Sequence, residues 1–286
     1  MRPERSSLTA MSTAAVRALE MEGSPEERIC SDSLARQFLP GWYCSFMKRL
    51  TATRYAQQHA AGDLGFIVAR CRYMDDLLSD ELDQGIQQLA ILGAGYDSRA
   101  YRIDRLKDKV KVFEVDHPAT QKNKLAKLKN ILGQDGLPNN VTFVSVDFTR
   151  ETLGTCLPVH GYSEQLKTLF IWEGVTMYLD LPSVDDTLAF IAHHSAPGSL
   201  IVFDYMCKKP VLQQDAAFLF VSFLRKFSKE ERNFQIEAGQ IEPFLASRGF
   251  HKVHNVTGED LHARYFVGRN AERKVTSDYA IAVGRV

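Results

Sequence analysis

Residues 91–99 read ILGAGYDSR: an apolar run breaks into Gly93-Ala94-Gly95, and an acid, Asp97, and a base, Arg99, follow at once. Glycines at the end of an apolar run let a ligand approach the backbone closely. Three more acids stand at the ends of later apolar runs: Asp116 closes KVFEVD, Asp147 follows FVSV, and Glu173 follows LFIW. Asp116 comes 23 positions after Gly93, near the spacing of about 20 at which an acid accepts hydrogen bonds from ribose hydroxyls. Each acid has a plainer reading as a strand-end carboxylate that caps the next helix. Three of them after successive strands, beside Gly-x-Gly, favour a ligand site.

A dinucleotide is the first ligand this pattern suggests, and it fits imperfectly. The pattern asks for a third glycine, and position 98 is Ser98. Asp97 would also stand where a pyrophosphate meets a helix N-terminus, and a carboxylate there repels the anion. A cationic ligand reverses that sign. S-adenosylmethionine carries a sulfonium, an amino-acid end and an adenosine but no phosphate, and it suits a site edged by carboxylates. An NAD-dependent oxidoreductase stays open as a rival reading, as does a module that binds S-adenosylmethionine without catalysis.

The elements that must position these residues alternate along the chain. Strand-like runs rich in Val, Ile and Phe occupy 87–95, 109–116, 140–148, 167–175 and 198–205, and two more close the chain at 251–258 and 279–286. The first, fourth and fifth are nearly continuous in apolar residues, as strands buried on both faces of a parallel sheet are. Helical spacers separate them. PATQKNKLAKLKNIL opens with Pro118, a good first-turn residue. LPSVDDTLAFIAHHSAPG offers Ser183 as a cap and ends at Pro197-Gly198. The alternation predicts an α/β doubly wound fold. In such a sheet ligands bind at the carboxyl ends of the strands. The expectation is one catalytic domain: a helical cap over 1–86, a core over 87–205, a helical insert over 206–249 and closing strands over 250–286. Phe218, Phe220, Phe223, Leu224 and Phe227 fall in the insert, as core or as an apolar lid over the acceptor.

Composition narrows the function class. The 286 residues are 45% hydrophobic and 24% charged with zero formal net charge, so the basic footprint of nucleic-acid binding is missing. Lys122, Lys124, Lys127 and Lys129 do cluster, and they read as a solvated helix face. The five cysteines are an odd number without a C-x-x-C, which argues against structural zinc and for a reducing compartment. The first 23 residues lack a secretory apolar region and carry Glu4, Glu20 and Glu22. No run approaches the roughly 18 apolar residues of a spanning helix. A cytoplasmic protein with no membrane or nucleic-acid partner and no metal is expected.

The segments ILGAGYDSRAYRI, FEVDHPATQKNKLAKL, FVSVDF, FIWEGVTMYL and SAPGSLIVFDY occur in that order. Together they resemble the leucine carboxyl methyltransferase-like family of S-adenosylmethionine-dependent O-methyltransferases. The upstream TAAVRALE and ARCRYMDD resemble its N-terminal segments. The resemblance covers roughly residues 9–205, with an echo in FLASRGF. It implies a class I methyltransferase fold, Rossmann-like, with a mostly parallel seven-stranded sheet. It also implies roles. Gly93 and Gly95 pass under the amino-acid end of the cofactor, near Asp97. Asp116 holds the ribose, Asp147 accepts the adenine amino group, and Phe148 lies beside the ring. Glu173 faces the methionine end. Arg70 reaches the cofactor carboxylate and an acceptor carboxylate, and Tyr178 helps place the acceptor. The phosphatase-directed branch has a lysine near Ser31, whereas ICSDSLARQFL has no cation before Arg36. That difference favours a small-molecule acceptor over a protein C-terminus.

Methyl transfer from a sulfonium is a one-step displacement, and S-adenosylhomocysteine is the product. Positioning alone can supply as much as about 7–11 kcal/mol. A carboxylate acceptor, with a pKa around 4, is already ionised at neutral pH. It needs donors such as Arg70, Tyr178 or Arg99 to orient it. A hydroxyl acceptor needs a base, commonly histidine. His117 reads as a neighbour of the cofactor, and His193 and His194 lie in the helix after the fourth strand, away from the strand ends. The expected acceptor is therefore a carboxylate, with a hydroxyl as the alternative.

Overall fold

The computed structural model of the chain describes residues 8–107, 109–134, 136–146, 151–208 and 233–286. Asp147, Phe148 and the aromatic run 218–227 lie outside the described residues. Every strand expected from the sequence is present: β1 (Gln88–Leu92), β2 (Lys111–Asp116), β3 (Val141–Ser145), β4 (Thr168–Trp172), β5 (Leu200–Lys208), β7 (His251–Thr257) and β8 (Tyr279–Arg285). They lie in the order β3-β2-β1-β4-β5-β8-β7, and a short β6 (Gln235–Glu237) pairs with the end of β5. The first five strands are parallel, while β8 runs antiparallel to both β5 and β7. This is the mostly parallel α/β sheet of the methyltransferase fold class, with β6 added.

The sheet divides two apolar layers. One face packs against the helical cap: α1 (Leu8–Glu20), α2 (Gly41–Thr51), α4 (Ala61–Asp83, after the short α3, Arg54–His59) and α6 (Pro118–Leu132, after the short α5, Arg99–Arg102). The other face packs against α7 (Leu153–Cys156), α8 (Leu181–His193) and the helix Ile241–Ala246. Among the described residues no helix is long and apolar enough to cross a membrane.

Local signals explain several boundaries. His117 caps α6 through Nδ1, which accepts from Ala119 N at 3.2 Å, and Pro118 takes the first turn. The cap of α8 is Asp180, whose Oδ1 accepts from Ser183 N at 3.0 Å. Ser183, expected to be the cap, supplies the donor instead, because the helix starts three residues earlier. A second expectation also changes. Lys122 and Lys129 are exposed, but Lys124 is buried against the sheet.

Register sets the site. Leu92 pairs with Val115, Asp116 with Ser145, and Trp172 with Phe203. The residues immediately beyond these pairs, Gly93, Glu173 and Asp204, therefore share one edge of the sheet with Asp116.

Candidate active site

The glycine loop is fixed from β2. Val115 O accepts from Gly93 N at 2.8 Å and from Ala94 N at 3.0 Å. Asp116 Oδ2 accepts from Gly95 N at 2.6 Å, and its Oδ1 from His117 N at 2.6 Å. Three successive N–H groups that could hold a pyrophosphate are thus engaged within the protein. The loop instead offers close backbone approach. Gly93 takes φ +68°, and a Cβ there would stand 2.4 Å from Val175 Cγ2. Gly95 takes φ +40°, and its Cβ would meet Ala10 of α1 at 3.3 Å. Burial raises the Asp116 carboxyl above its ordinary range, and the Gly95 and His117 N–H groups only partly oppose it.

Beside the loop lies a buried network of alternating charge. Arg70 falls in the buried stripe Phe66, Arg70, Met74, Leu78 of α4, a spacing that aims it at the sheet. Its Nε donates to Glu173 Oε1 at 3.1 Å, and its Nη1 pairs with Asp204. Arg99 is 2% exposed and pairs with three acids: Asp75 at 2.7 Å, Glu173 at 2.7 Å, and Asp97. Arg102 reaches Asp75 at 2.8 Å and Ser98 Oγ at 2.9 Å. Ser98 Oγ in turn donates to Asp32 at 2.6 Å, and Asp32 pairs with Arg17 of α1 at 2.9 Å. Arg17 Nη2 donates to Tyr96 O at 2.8 Å, so the cap helix grips the loop directly.

Glu173 is the hub. Burial alone would raise its carboxyl, but the Arg99, Arg70 and Arg17 charges outweigh burial and hold it well below the usual carboxylate range. Asp204 has no exposed surface and also accepts from Gly174 N at 2.6 Å. Burial pushes its carboxyl up despite the Arg70 charge. Tyr178 is half-buried in the turn Thr176–Tyr178 that follows Glu173, with its N–H on Val175 O.

The structure therefore brings Arg70, Gly93, Gly95, Asp97, Asp116 and Glu173 to one edge, with Tyr178 on the segment beside it. Arg99, named above as a donor that could orient an acceptor, has its guanidinium paired with Asp75, Asp97 and Glu173. His194 pairs with Glu164 at 2.7 Å at the far end of α8, away from the strand ends. Among the described residues no group of three or more His, Cys, Asp or Glu is placed to hold a metal. Sequence reasoning missed Arg17, Asp32, Asp75 and Asp204. A signal existed for Asp204, a lone acid inside the apolar strand LIVFDY. None existed for the others, whose partners lie 15 or more positions away in sequence.

Comparison with known proteins identifies the family. Residues 10–192 match the family described as leucine carboxyl methyltransferase. "Putative S-adenosyl-L-methionine-dependent methyltransferase YktD" of Bacillus subtilis is 38% identical over 138 residues, 48% of this chain and 44% of that protein. A Streptomyces coelicolor protein of the same description is 34% identical over 192 residues, 67% of this chain and 66% of its own. The chain thus spans between 44% and 66% of the length of these relatives. A crystal structure of a duf574 family protein from Streptomyces avermitilis superposes with a TM-score of 0.59 over 96% of both chains at 10% identity, a likeness of fold. The matched range takes in most of the cap helix that grips the loop, the loop itself, Asp116, Glu173 and Tyr178, and the chain belongs to the leucine carboxyl methyltransferase family.

Proposed function

We propose that this chain is an S-adenosylmethionine-dependent O-methyltransferase that esterifies a carboxylate of a small-molecule acceptor. The charge balance of the buried network carries the reading. Among the described residues it sets four arginines, Arg17, Arg70, Arg99 and Arg102, against five carboxylates, Asp32, Asp75, Asp97, Glu173 and Asp204. The excess negative charge suits a ligand that brings one net positive charge, as an ammonium, a sulfonium and a carboxylate together do. A dinucleotide, with two phosphates, would add to the imbalance.

S-adenosylmethionine, when bound, supplies an electrophilic methyl group on its sulfonium. Asp116 would hold the ribose at the end of β2, and the loop Gly93–Gly95 would lie under the amino-acid end. Glu173, kept ionised by its arginines, would favour the cationic centre. Arg70 uses Nε and Nη1 on Glu173 and Asp204, and its Nη2 has no acceptor among the described residues. That donor would orient a carboxylate. Asp97 and Glu173 are bound by arginine, and Asp204 is sealed from solvent, so none of them is poised to take a proton. An acceptor that arrives already ionised needs no base.

Methyl transfer from labelled S-adenosylmethionine into a metabolite extract tests the acceptor class. Label that alkali releases as methanol is expected; label held only in alkali-stable ethers would reject the carboxylate. Asp116→Ala tests the cofactor assignment. The protein should be stabilised against heat by S-adenosylhomocysteine and not by NAD. The variant should bind S-adenosylhomocysteine at least about tenfold more weakly, the loss of a hydrogen-bonded charged partner. Unchanged affinity would remove Asp116 from the ribose.

A further inference from the structure

A second buried ion pair lies beneath the glycine loop, outside the arginine network. Glu114 of β2 and Lys124 of α6 are each 1% exposed, with Lys124 Nζ 2.8 Å from Glu114 Oε2. Such a pair contributes little net stability, because removing two charges from water offsets their attraction. Two apolar side chains would fill the same space as well.

What the pair reaches is the loop. Beside this carboxylate, Lys124 Nζ also donates to Ala94 O at 3.4 Å. The same carbonyl accepts from Asp97 N at 2.7 Å. Glu114 lies two residues before Asp116, on the same face of β2. Gln121, one turn before Lys124 on α6, donates to Glu114 O at 3.2 Å and fixes the strand at the same residue. The Tyr101 ring, from the short helix that follows the loop, faces the ammonium at 5.5 Å. The loop is therefore held from two sides, by Arg17 at Tyr96 O and by Lys124 at Ala94 O.

We infer that Lys124, through its bond to Ala94 O and with Glu114 only as its charge partner, is a positioning residue that holds the Gly93–Gly95 loop at the height the cofactor requires. Lys124 touches no reactant. Its link to cofactor binding rests on the proposed function, but its hold on the loop does not.

Two variants separate positioning from packing. Lys124→Met with Glu114→Met removes both charges and keeps an apolar core, so its melting temperature should stay near that of the wild type. Its Gly95 amide should exchange hydrogen about tenfold faster without ligand, and S-adenosylhomocysteine should bind about tenfold more weakly by calorimetry. Glu114→Gln leaves Lys124 on Ala94 O. It should melt at lower temperature yet keep both the loop protection and the affinity. Protection and affinity that merely follow melting temperature in both variants would overturn the inference. If the double variant does not fold, Glu114→Gln decides alone: a loss of protection in step with the lower melting temperature rejects the role. A wild-type protein that binds no S-adenosylhomocysteine, with the exchange pattern intact, would reject the cofactor reading and leave Lys124 as the support of the loop.

Discussion

Glu173→Gln should lower folding stability by about 3–5 kcal/mol at neutral pH, the cost of removing one partner from a buried ion pair. Arg70 and Arg99 are both buried and both donate to this carboxylate, at 3.1 and 2.7 Å. Glutamine keeps the size and one acceptor but not the charge, so two guanidinium groups lose compensation in a dry site. Urea unfolding measures the loss, and a shift below about 1 kcal/mol would mean that Asp75, Asp97 and Asp204 suffice to hold the arginines. The pH dependence follows from the direction of the Glu173 shift. Its folded-state carboxyl is held well below the ordinary range by the arginines against the opposing effect of burial. Above the unfolded value, about 4.3, the group is ionised in both states and its full contribution is present. As pH falls below that value, the unfolded chain takes up a proton that the folded protein refuses, and the contribution drains away towards the folded pKa. The stability gap between wild type and Glu173→Gln should therefore be flat from pH 8 to about 5.5 and narrow progressively as pH falls below about 4.3. The same variant should lose affinity for S-adenosylmethionine more than for S-adenosylhomocysteine, because only the sulfonium form brings the net positive charge that the network's excess negative charge favours.

The strand pattern was readable because the central strands β1, β4 and β5 are short apolar runs bounded by turn residues and buried over most of their length. β6 was not, since a three-residue strand, QIE, is too short to show a period and pairs only with the overhanging end of β5. Gly93, Gly95, Asp116 and Glu173 announced themselves because strand ends put chemistry where a period stops. Arg70 was readable by its motif and by a physical trace, a cation in an otherwise apolar i, i+4 stripe. The rest of the charge network is tertiary. Asp75 looks like any helix-surface acid in YMDDLL until α5 brings Arg99 and Arg102 against it. Lys124 failed for a related reason. Its neighbours Lys122 and Lys129 are solvated, and nothing in KNKLAKLK says that one of the four lysines faces a buried Glu114. A buried ion pair carries no periodicity of its own, so charge counting along a helix reads it as surface.

Gly93→Ala carries the second large effect, and it has two separable sources. The left-handed conformation at φ +68° costs an alanine about 1–2 kcal/mol. The new methyl would also stand 2.4 Å from Val175 Cγ2, closer than atoms can remain, so Val175 must move. Val175 belongs to the segment between Glu173 and Tyr178, and its carbonyl takes the Tyr178 N–H at 2.9 Å. The displacement therefore passes from the glycine loop to the segment that carries Glu173 and Tyr178. A loss of about 2–4 kcal/mol is expected from backbone strain and overpacking together, with affinity for S-adenosylhomocysteine reduced more than tenfold. Val175→Ala added to Gly93→Ala should restore the part due to the clash and none of the part due to the backbone. Chemical denaturation of both single variants and the double variant should then show a coupling of about 1 kcal/mol or more in favour of the pair. Strict additivity would mean that the loop yields instead of Val175. Gly95→Ala provides the internal control. Its φ of +40° is strained for alanine as well, but its nearest neighbour, Ala10 Cβ, lies at 3.3 Å on the cap helix and need give only a few tenths of an ångström. The order of damage, Gly93→Ala above Gly95→Ala, distinguishes a loop wedged against the Glu173–Tyr178 segment from one that is merely short of side-chain room.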